Sequence, residues 1–325
     1  MNPGKEIFNY HLNNLEKLLN EAKNQNNPAL WLFENGLRTP MFMLEATARV
    51  FEKIYDSKDL EKRKEQIKTL EDVIGAVDYY NAFAKELTLN QNIKPAIIDY
   101  LNQQTDLKII ELNTILNDEN WLNRKRIAKI KETINSVDWL SETDELQAIE
   151  KFYNKSIAKI DEFIKITTFD FDDIENDVHE LRRRLRWLSI FPQALLGVFQ
   201  YSKSIENPPK NLEKYLTPEI LESKYNILPT TLQFTNPIEI NKNYFFALSW
   251  IIAELGKIKD EGLRIMVLKE AIENTDNSDL KIDESEIHKI LNTKQKSLET
   301  LLSSAEKIVK PYFEEQNLKN LLAEN

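Results

Sequence analysis

The densest group of side chains suited to chemistry lies in the segment DVHELRRRLRWL, residues 177–188. On an α-helix with about 100° between residues, His179, Arg182, Arg183 and Arg186 fall within an arc of about 100°, and the leucines of the segment fall opposite. Guanidinium groups donate paired hydrogen bonds to phosphate, and histidine adds another donor. The pattern predicts a helix with one buried apolar face and one face suited to a phosphate-rich anion.

The same arginines are also consistent with a solvated face whose charges are paired within the chain. Asp172 and Glu175 precede them on the same side, and Glu180 is within reach of Arg183 and Arg184. Acidic residues suit the start of a helix in any case, because the helix dipole favours negative charge there. Both interpretations stay open, although repulsion among such closely spaced cations favours an anionic ligand.

A second, weaker basic face lies nearer the N-terminus. Arg38, Arg49 and Lys53 share one side of a predicted helix with Asn35, Phe42 and Glu45. Because an acidic residue lies within this face, a structural role is favoured more strongly here than in residues 177–188.

The composition predicts a mostly helical protein. The chain has 325 residues, 42% of them hydrophobic, with six glycines, no cysteine and a formal net charge of −10. No apolar run approaches the roughly 20 residues of a membrane-spanning helix, and the N-terminus lacks the features of a secretory signal. We expect a soluble cytoplasmic protein that binds no membrane, and its acidic balance argues against nucleic acid as a partner.

Apolar residues recur at helical spacing along most of the chain. The predicted helical ranges are 5–24, 28–56, 60–87, 93–116, 124–140, 143–165, 171–200, 242–273 and 284–322. Residues 208–243 depart from this pattern because they contain five prolines. We expect a long ordered loop there, with one short helix near 217–224 and a pair of strands.

No motif for catalysis, metal binding or cofactor binding is present. The sequence lacks a phosphate-binding glycine loop, a His-Glu-x-x-His helix and a Gly-x-Ser-x-Gly turn. Its histidines are His11, His179 and His288, too few to favour a histidine metal site. Glu175 is placed to orient His179 as a general base, but such pairs are common on helices without catalysis. We therefore expect no enzyme activity, no metal and no cofactor.

Two segments carry a family resemblance. VHELRRRLRWLSIF is similar to the signature helix of CHAD domains, the conserved histidine alpha-helical domains, in which His-x-x-Arg precedes further arginines and a Leu/Phe-rich face. ELGKIKDEGL resembles that family's later Leu-Gly step, followed here by Lys259 and Asp260. The first half departs from the pattern, with Asn35 at the histidine position and Asp78 and Tyr79 in the later step.

The resemblance implies two pseudo-symmetric antiparallel helical bundles, residues 28–165 and 170–325, within a single all-α domain of residues 1–325. It also implies a basic surface between the bundles that binds inorganic polyphosphate. The site residues that we predict are His179, Arg182, Arg183, Arg186, Arg38, Arg49, Lys53, Lys257 and Lys259. Binding of polyphosphate or another phosphate-rich anion without catalysis is the first hypothesis. A helical protein-interaction or scaffold module, whose arginines pair with carboxylates of the chain or of a protein partner, is the alternative.

Overall fold

The computed structural model describes residues 2–202, 208–275, 284–291 and 296–322, and these fold mostly into α-helices. The all-α prediction is therefore confirmed. The helices are α1 (Pro3–Ala22), α2 (Pro28–Glu34), α3 (Arg38–Tyr55), α4 (Lys58–Thr88), α5 (Pro95–Asp118), α6 (Lys125–Ser136), α7 (Glu142–Thr167), α8 (Glu180–Ala194), α9 (Pro218–Leu221), α10 (Lys242–Thr275), α11 (Glu284–Leu291) and α12 (Leu298–Glu314).

Helix starts follow local capping chemistry. The side chains of Asn27, Ser57, Ser141 and Ser297 accept backbone N–H groups in the first turns of α2, α4, α7 and α12. The single helix predicted over 28–56 is divided, because Gly36 adopts a φ of +75° between α2 and α3. The predicted helix over 284–322 is also divided, and residues 292–295 between its parts lie outside the described residues.

The proline-containing segment 208–243 packs on the helices as an ordered connection. It contains α9 and two short 3₁₀ turns, Lys210–Tyr215 and Lys224–Asn226. Its strand β2 (Ile238–Ile240) pairs in parallel with β1 (Phe199–Tyr201). The predicted short helix is present, whereas the partner of the strand precedes the segment and does not lie within it.

Packing of α3 on α8 connects the two halves of the chain. In the first half α3 also packs on α4, and in the second half α8 packs on α10. Buried residues from all of these helices belong to one continuous apolar core. α1 lies outside the predicted first repeat, yet it packs on α3, α6 and α7. The pseudo-symmetry of the two halves stays a prediction.

No helix within the described ranges is both long enough and apolar enough to span a membrane.

Candidate functional site: a cleft between four helices

A cleft of about 600 Å³ lies between α3, α4, α8 and α10. Its charged lining residues are Arg38, Glu45, Arg49, Lys68, Glu71, Asp72, Asp78, Glu86, His179, Arg182, Arg183, Arg186, Lys259, Asp260 and Arg264. Seven of the nine predicted site residues are among them. The structure therefore brings together most of the side chains that the sequence singled out, and they come from both halves of the chain.

Helix α8 is positioned by a tight turn at its start. Residues Ile174–His179 form a π-helical turn that runs directly into α8. The Asp173 side chain accepts the backbone N–H groups of Glu175 and Asn176 at 2.8 and 2.6 Å, and so caps this turn. The apolar side of the segment is buried at Val178, Leu181, Leu185 and Leu188. Burial of that side turns the basic side toward the cleft, as the sequence predicts.

Arg182 and Arg186 lie at the centre of the basic side. The Nε of Arg182 donates to the carbonyl oxygen of Ile252 at 3.1 Å. The guanidinium carbon of Arg186 lies 4.5 Å from the centre of the Phe42 ring, a cation–π contact. Within the described part of the chain, no carboxylate lies within ion-pair distance of either guanidinium group.

Burial and like charge both act on these two arginines. Burial and the positive charges of Arg182 and Arg38 together lower the pKa of Arg186 to about 10, and the negative charge of Glu71 opposes the shift. Burial likewise lowers the pKa of Arg182; the negative charge of Asp260 opposes this effect, and Arg38 adds to it. The pair is thus a partly desolvated cationic centre, and a bound anion would offset the repulsion.

The arginines of α3 already have carboxylate partners. Arg38 donates to Glu71 at 3.4 Å and also pairs with Asp78. Arg49 donates to the buried Glu45 from Nε at 2.9 Å and from Nη2 at 2.6 Å. These contacts hold both guanidinium groups in place but use part of their capacity to bind an anion.

Glu71, the partner of Arg38, is a buried carboxylate. Burial raises its pKa, the positive charge of Arg38 opposes that shift, and the nearby Glu45 and Asp72 add to it. Glu71 therefore gains a proton more readily than an exposed glutamate, and protonation would remove a negative charge from the cleft wall.

Aromatic rings support several of the guanidinium groups. Phe42 lies beneath Arg38 as well as Arg186, with 5.3 Å from the Arg38 guanidinium carbon to the ring centre. Arg49 lies over the Trp187 ring at 4.4 Å. Trp187 packs against the apolar core and also lines the cleft, where it orients a cation.

Each of the remaining predicted cations in the cleft has an acidic partner. His179 donates from Nδ1 to Glu175 at 2.8 Å, and this hydrogen bond lowers the pKa of Glu175. Arg183 pairs with Glu180. Lys259 pairs with Asp260 at 2.8 Å.

Lys53 and Lys257 were predicted as site residues, but neither lines the cleft. Lys53 lies in the last turn of α3, beyond Arg49, and pairs with the neighbouring Glu52. Lys257 follows Gly256, which faces Arg182, so it is rotated by about 100° around α10. Its ammonium group pairs with Glu254 at 2.7 Å and lies 3.7 Å from Glu219.

The structure also adds residues that sequence reasoning missed. Lys68 pairs with Asp72 along α4, and Arg264 of α10 pairs with Glu86 of α4 across the cleft. The available signal was the helical placement of charges along α4: at about 100° per residue, Lys68, Asp72, Asp78 and Glu86 fall within an arc of about 120°.

This arrangement is suited to holding an anion by charge and hydrogen bonding. Among the residues that the structure describes, no group of three or more His, Asp or Glu side chains is arranged to hold a metal ion. Comparisons with models of protein families, with curated proteins and with solved structures found no match to this chain. The CHAD resemblance therefore stays a prediction from the two sequence segments.

Proposed function

We propose that this protein is a CHAD-like cytoplasmic protein that binds inorganic polyphosphate or a similar phosphate-rich anion without catalysing a reaction. One observation carries the proposal. Every other arginine and lysine of the cleft lining has a carboxylate partner, whereas Arg182 and Arg186 have none among the described residues. Partly buried cations without a counter-ion favour an anionic ligand, because its charge compensates their desolvation.

A local equivalence between the halves supports the implied internal repeat. Arg38 of α3 lies against Gly75 of the long helix α4, and Arg182 of α8 lies against Gly256 of the long helix α10. A Cβ atom built on Gly75 would lie 3.5 Å from Nη2 of Arg38, and one on Gly256 would lie 3.1 Å from Nε of Arg182. In both halves, then, a guanidinium group lies against a glycine of the long helix, as two related bundles would require, and the closer approach is at Gly256.

The test is calorimetric titration of polyphosphate into the wild-type protein and into Arg186→Gln, at low and at physiological ionic strength. We expect binding at low salt, weakened about 30-fold by Arg186→Gln, since a hydrogen-bonded charged contact contributes about 2 kcal/mol. Arg184→Gln is the matched control. Arg184 is on the same helix and carries the same charge, but it pairs with Glu180 at 2.7 Å and does not line the cleft.

Arg186→Lys separates charge from shape, because it keeps the positive charge and removes the planar fork. Its affinity should fall between those of the wild type and Arg186→Gln. Absence of wild-type binding at low salt would overturn the proposal, as would equal losses in Arg186→Gln and Arg184→Gln.

A protein-interaction module is the second candidate, and the acidic pairing of most cleft cations favours it. Segment 208–243 also exposes apolar side chains at Leu221, Tyr225 and Ile227, and Gln193 of α8 donates to the carbonyl oxygens of the latter two. Under this alternative, polyphosphate would not bind at low salt, and substitutions at Arg182 and Arg186 would have no effect on phosphate titrations.

A further inference from the structure

The cations that lack acidic partners occupy only the middle of the cleft. Arg182 and Arg186 are one helical turn apart on α8, a separation of about 6 Å along the axis. Arg38, which is paired with Glu71 and Asp78, approaches the same centre from α3, since its guanidinium carbon and that of Arg186 lie 5.3 and 4.5 Å from the centre of the same Phe42 ring. Three guanidinium groups so close together match a compact anion with a few neighbouring phosphates.

Toward one end, the cleft offers no further cation without a partner among the described residues. Along α4 from Gly75, the lining continues through Asp78, Tyr79, Ala82 and Phe83 to Glu86. Glu86 lies about 16 Å beyond Gly75, at 1.5 Å per residue. Its carboxylate pairs with Arg264 of α10, so a side-chain contact connects the two walls of the cleft at this end.

Beside that ion pair, α10 is held against the first half of the chain. Glu270 accepts hydrogen bonds from Tyr80 of α4 at 3.0 Å and from Tyr100 of α5 at 2.9 Å. The contact between Glu86 and Arg264 therefore lies beside a fixed junction of helices. An extended chain of phosphates passing this end would meet the Asp78 carboxylate, the rings of Tyr79 and Phe83, and then the Glu86 carboxylate.

We infer that the cleft accepts a short phosphate compound, or the end of a longer one, and excludes the interior of a polyphosphate chain by means of the Glu86–Arg264 pair. This inference rests on the proposed function, since it specifies the ligand of the same site. Glu86 acts here as a length-determining residue, and Arg182 and Arg186 act as the anion-binding residues.

The experiment compares tripolyphosphate with long-chain polyphosphate by calorimetric titration, with affinities expressed per chain. In the wild type we expect the two affinities to agree within about twofold, because a long chain presents only its two ends. Glu86→Ala frees Arg264 as an additional cation beyond the reach of tripolyphosphate. The ratio of long-chain to tripolyphosphate affinity should then rise about tenfold.

Glu111→Ala is the matched control for removing one negative charge. Glu111 pairs with Lys108 on the outer part of α5 at 2.8 Å and does not line the cleft. It should leave the ratio unchanged. Failure of both compounds to bind the wild type would overturn the proposed function, and this inference with it. Wild-type affinity more than about tenfold higher per chain for the long polymer, or an unchanged ratio in Glu86→Ala, would overturn this inference alone.

Discussion

At the scale of single residues, whether a cation of the cleft can bind an anion depends more on its neighbours than on whether it is arginine, lysine or histidine. Arg183 and Arg186 are three positions apart on α8, yet one pairs with Glu180 and the other lies over Phe42. An arginine that shares its fork with a carboxylate must give up that contact to bind phosphate fully. Arg186 gives up only hydration, because its contact with the Phe42 ring leaves its N–H edges available. Anion affinity should therefore depend on a minority of the basic residues.

His11 gives a residue-scale prediction about stability. It is buried in α1 and donates from Nε2 to the carbonyl oxygen of Ala194, the last residue of α8, at 2.7 Å. Burial lowers its pKa from 6.5 to about 4, an effect that exceeds the opposing contribution of this hydrogen bond. Between those pH values the unfolded chain binds the proton more readily, so the folded state loses stability as the pH falls from about 6.5 toward 4.

The measurement is urea unfolding of the wild type and of His11→Gln, which keeps a donor but does not titrate, at pH 7.5 and 5.5. The stability of the wild type relative to the variant should fall by about 1.4 kcal/mol over this interval. Parallel changes in the two proteins would show that His11 is not the group responsible.

At the scale of helices, the sequence predicts features that depend on local helix geometry, such as which side chains share a face. The common face of His179, Arg182 and Arg186 follows from the helical repeat and from the leucines opposite, and the structure places all three in the cleft. Contacts between distant helices carry no such local signal. The pairing of Arg264 with Glu86 joins residues that are 178 positions apart. Likewise, the positions of Lys53 and Lys257 on their helix faces did not show that these lysines pair with acidic residues, Glu52 and Glu254.

The close approach of α8 to α10 gives a prediction for Gly256. An alanine there would place its Cβ 3.1 Å from Nε of Arg182, so the guanidinium group must shift away from the carbonyl oxygen of Ile252. We expect tripolyphosphate affinity to fall about fivefold in Gly256→Ala, the effect of one hydrogen bond worth about 1 kcal/mol.

Gly75→Ala is the equivalent change beside Arg38, where the distance of 3.5 Å allows ordinary contact. It should weaken binding less than Gly256→Ala, and its alanine should raise the stability of α4 by up to about 1 kcal/mol in urea unfolding. Equal losses of affinity in the two variants would contradict this account of the Arg182 position.

At the scale of the whole molecule, the charge of the cleft differs from that of the protein. The chain carries a formal net charge of −10. The cleft lining contains eight arginine and lysine side chains against six aspartate and glutamate side chains, together with His179. The site is thus a small positive region on an acidic protein, with most of its positive charge neutralised by neighbours. Long-range attraction of polyanions should be weak, and binding should depend on the contacts at its centre.

This distribution of charge predicts a shallow dependence of binding on salt. Each phosphate neutralised by a free cation contributes about −0.9 to the slope of log affinity against log salt in nucleic acid complexes. Two unpaired arginines therefore predict a slope of about −2 for tripolyphosphate, and Arg186→Gln should reduce it to about −1. Calorimetric titrations over a range of sodium chloride concentrations measure both slopes. A slope near −3, with all three phosphates of the ligand neutralised, would mean that a paired cation also releases its carboxylate and binds phosphate. The ion pairs seen in the cleft would then be a state that the ligand replaces.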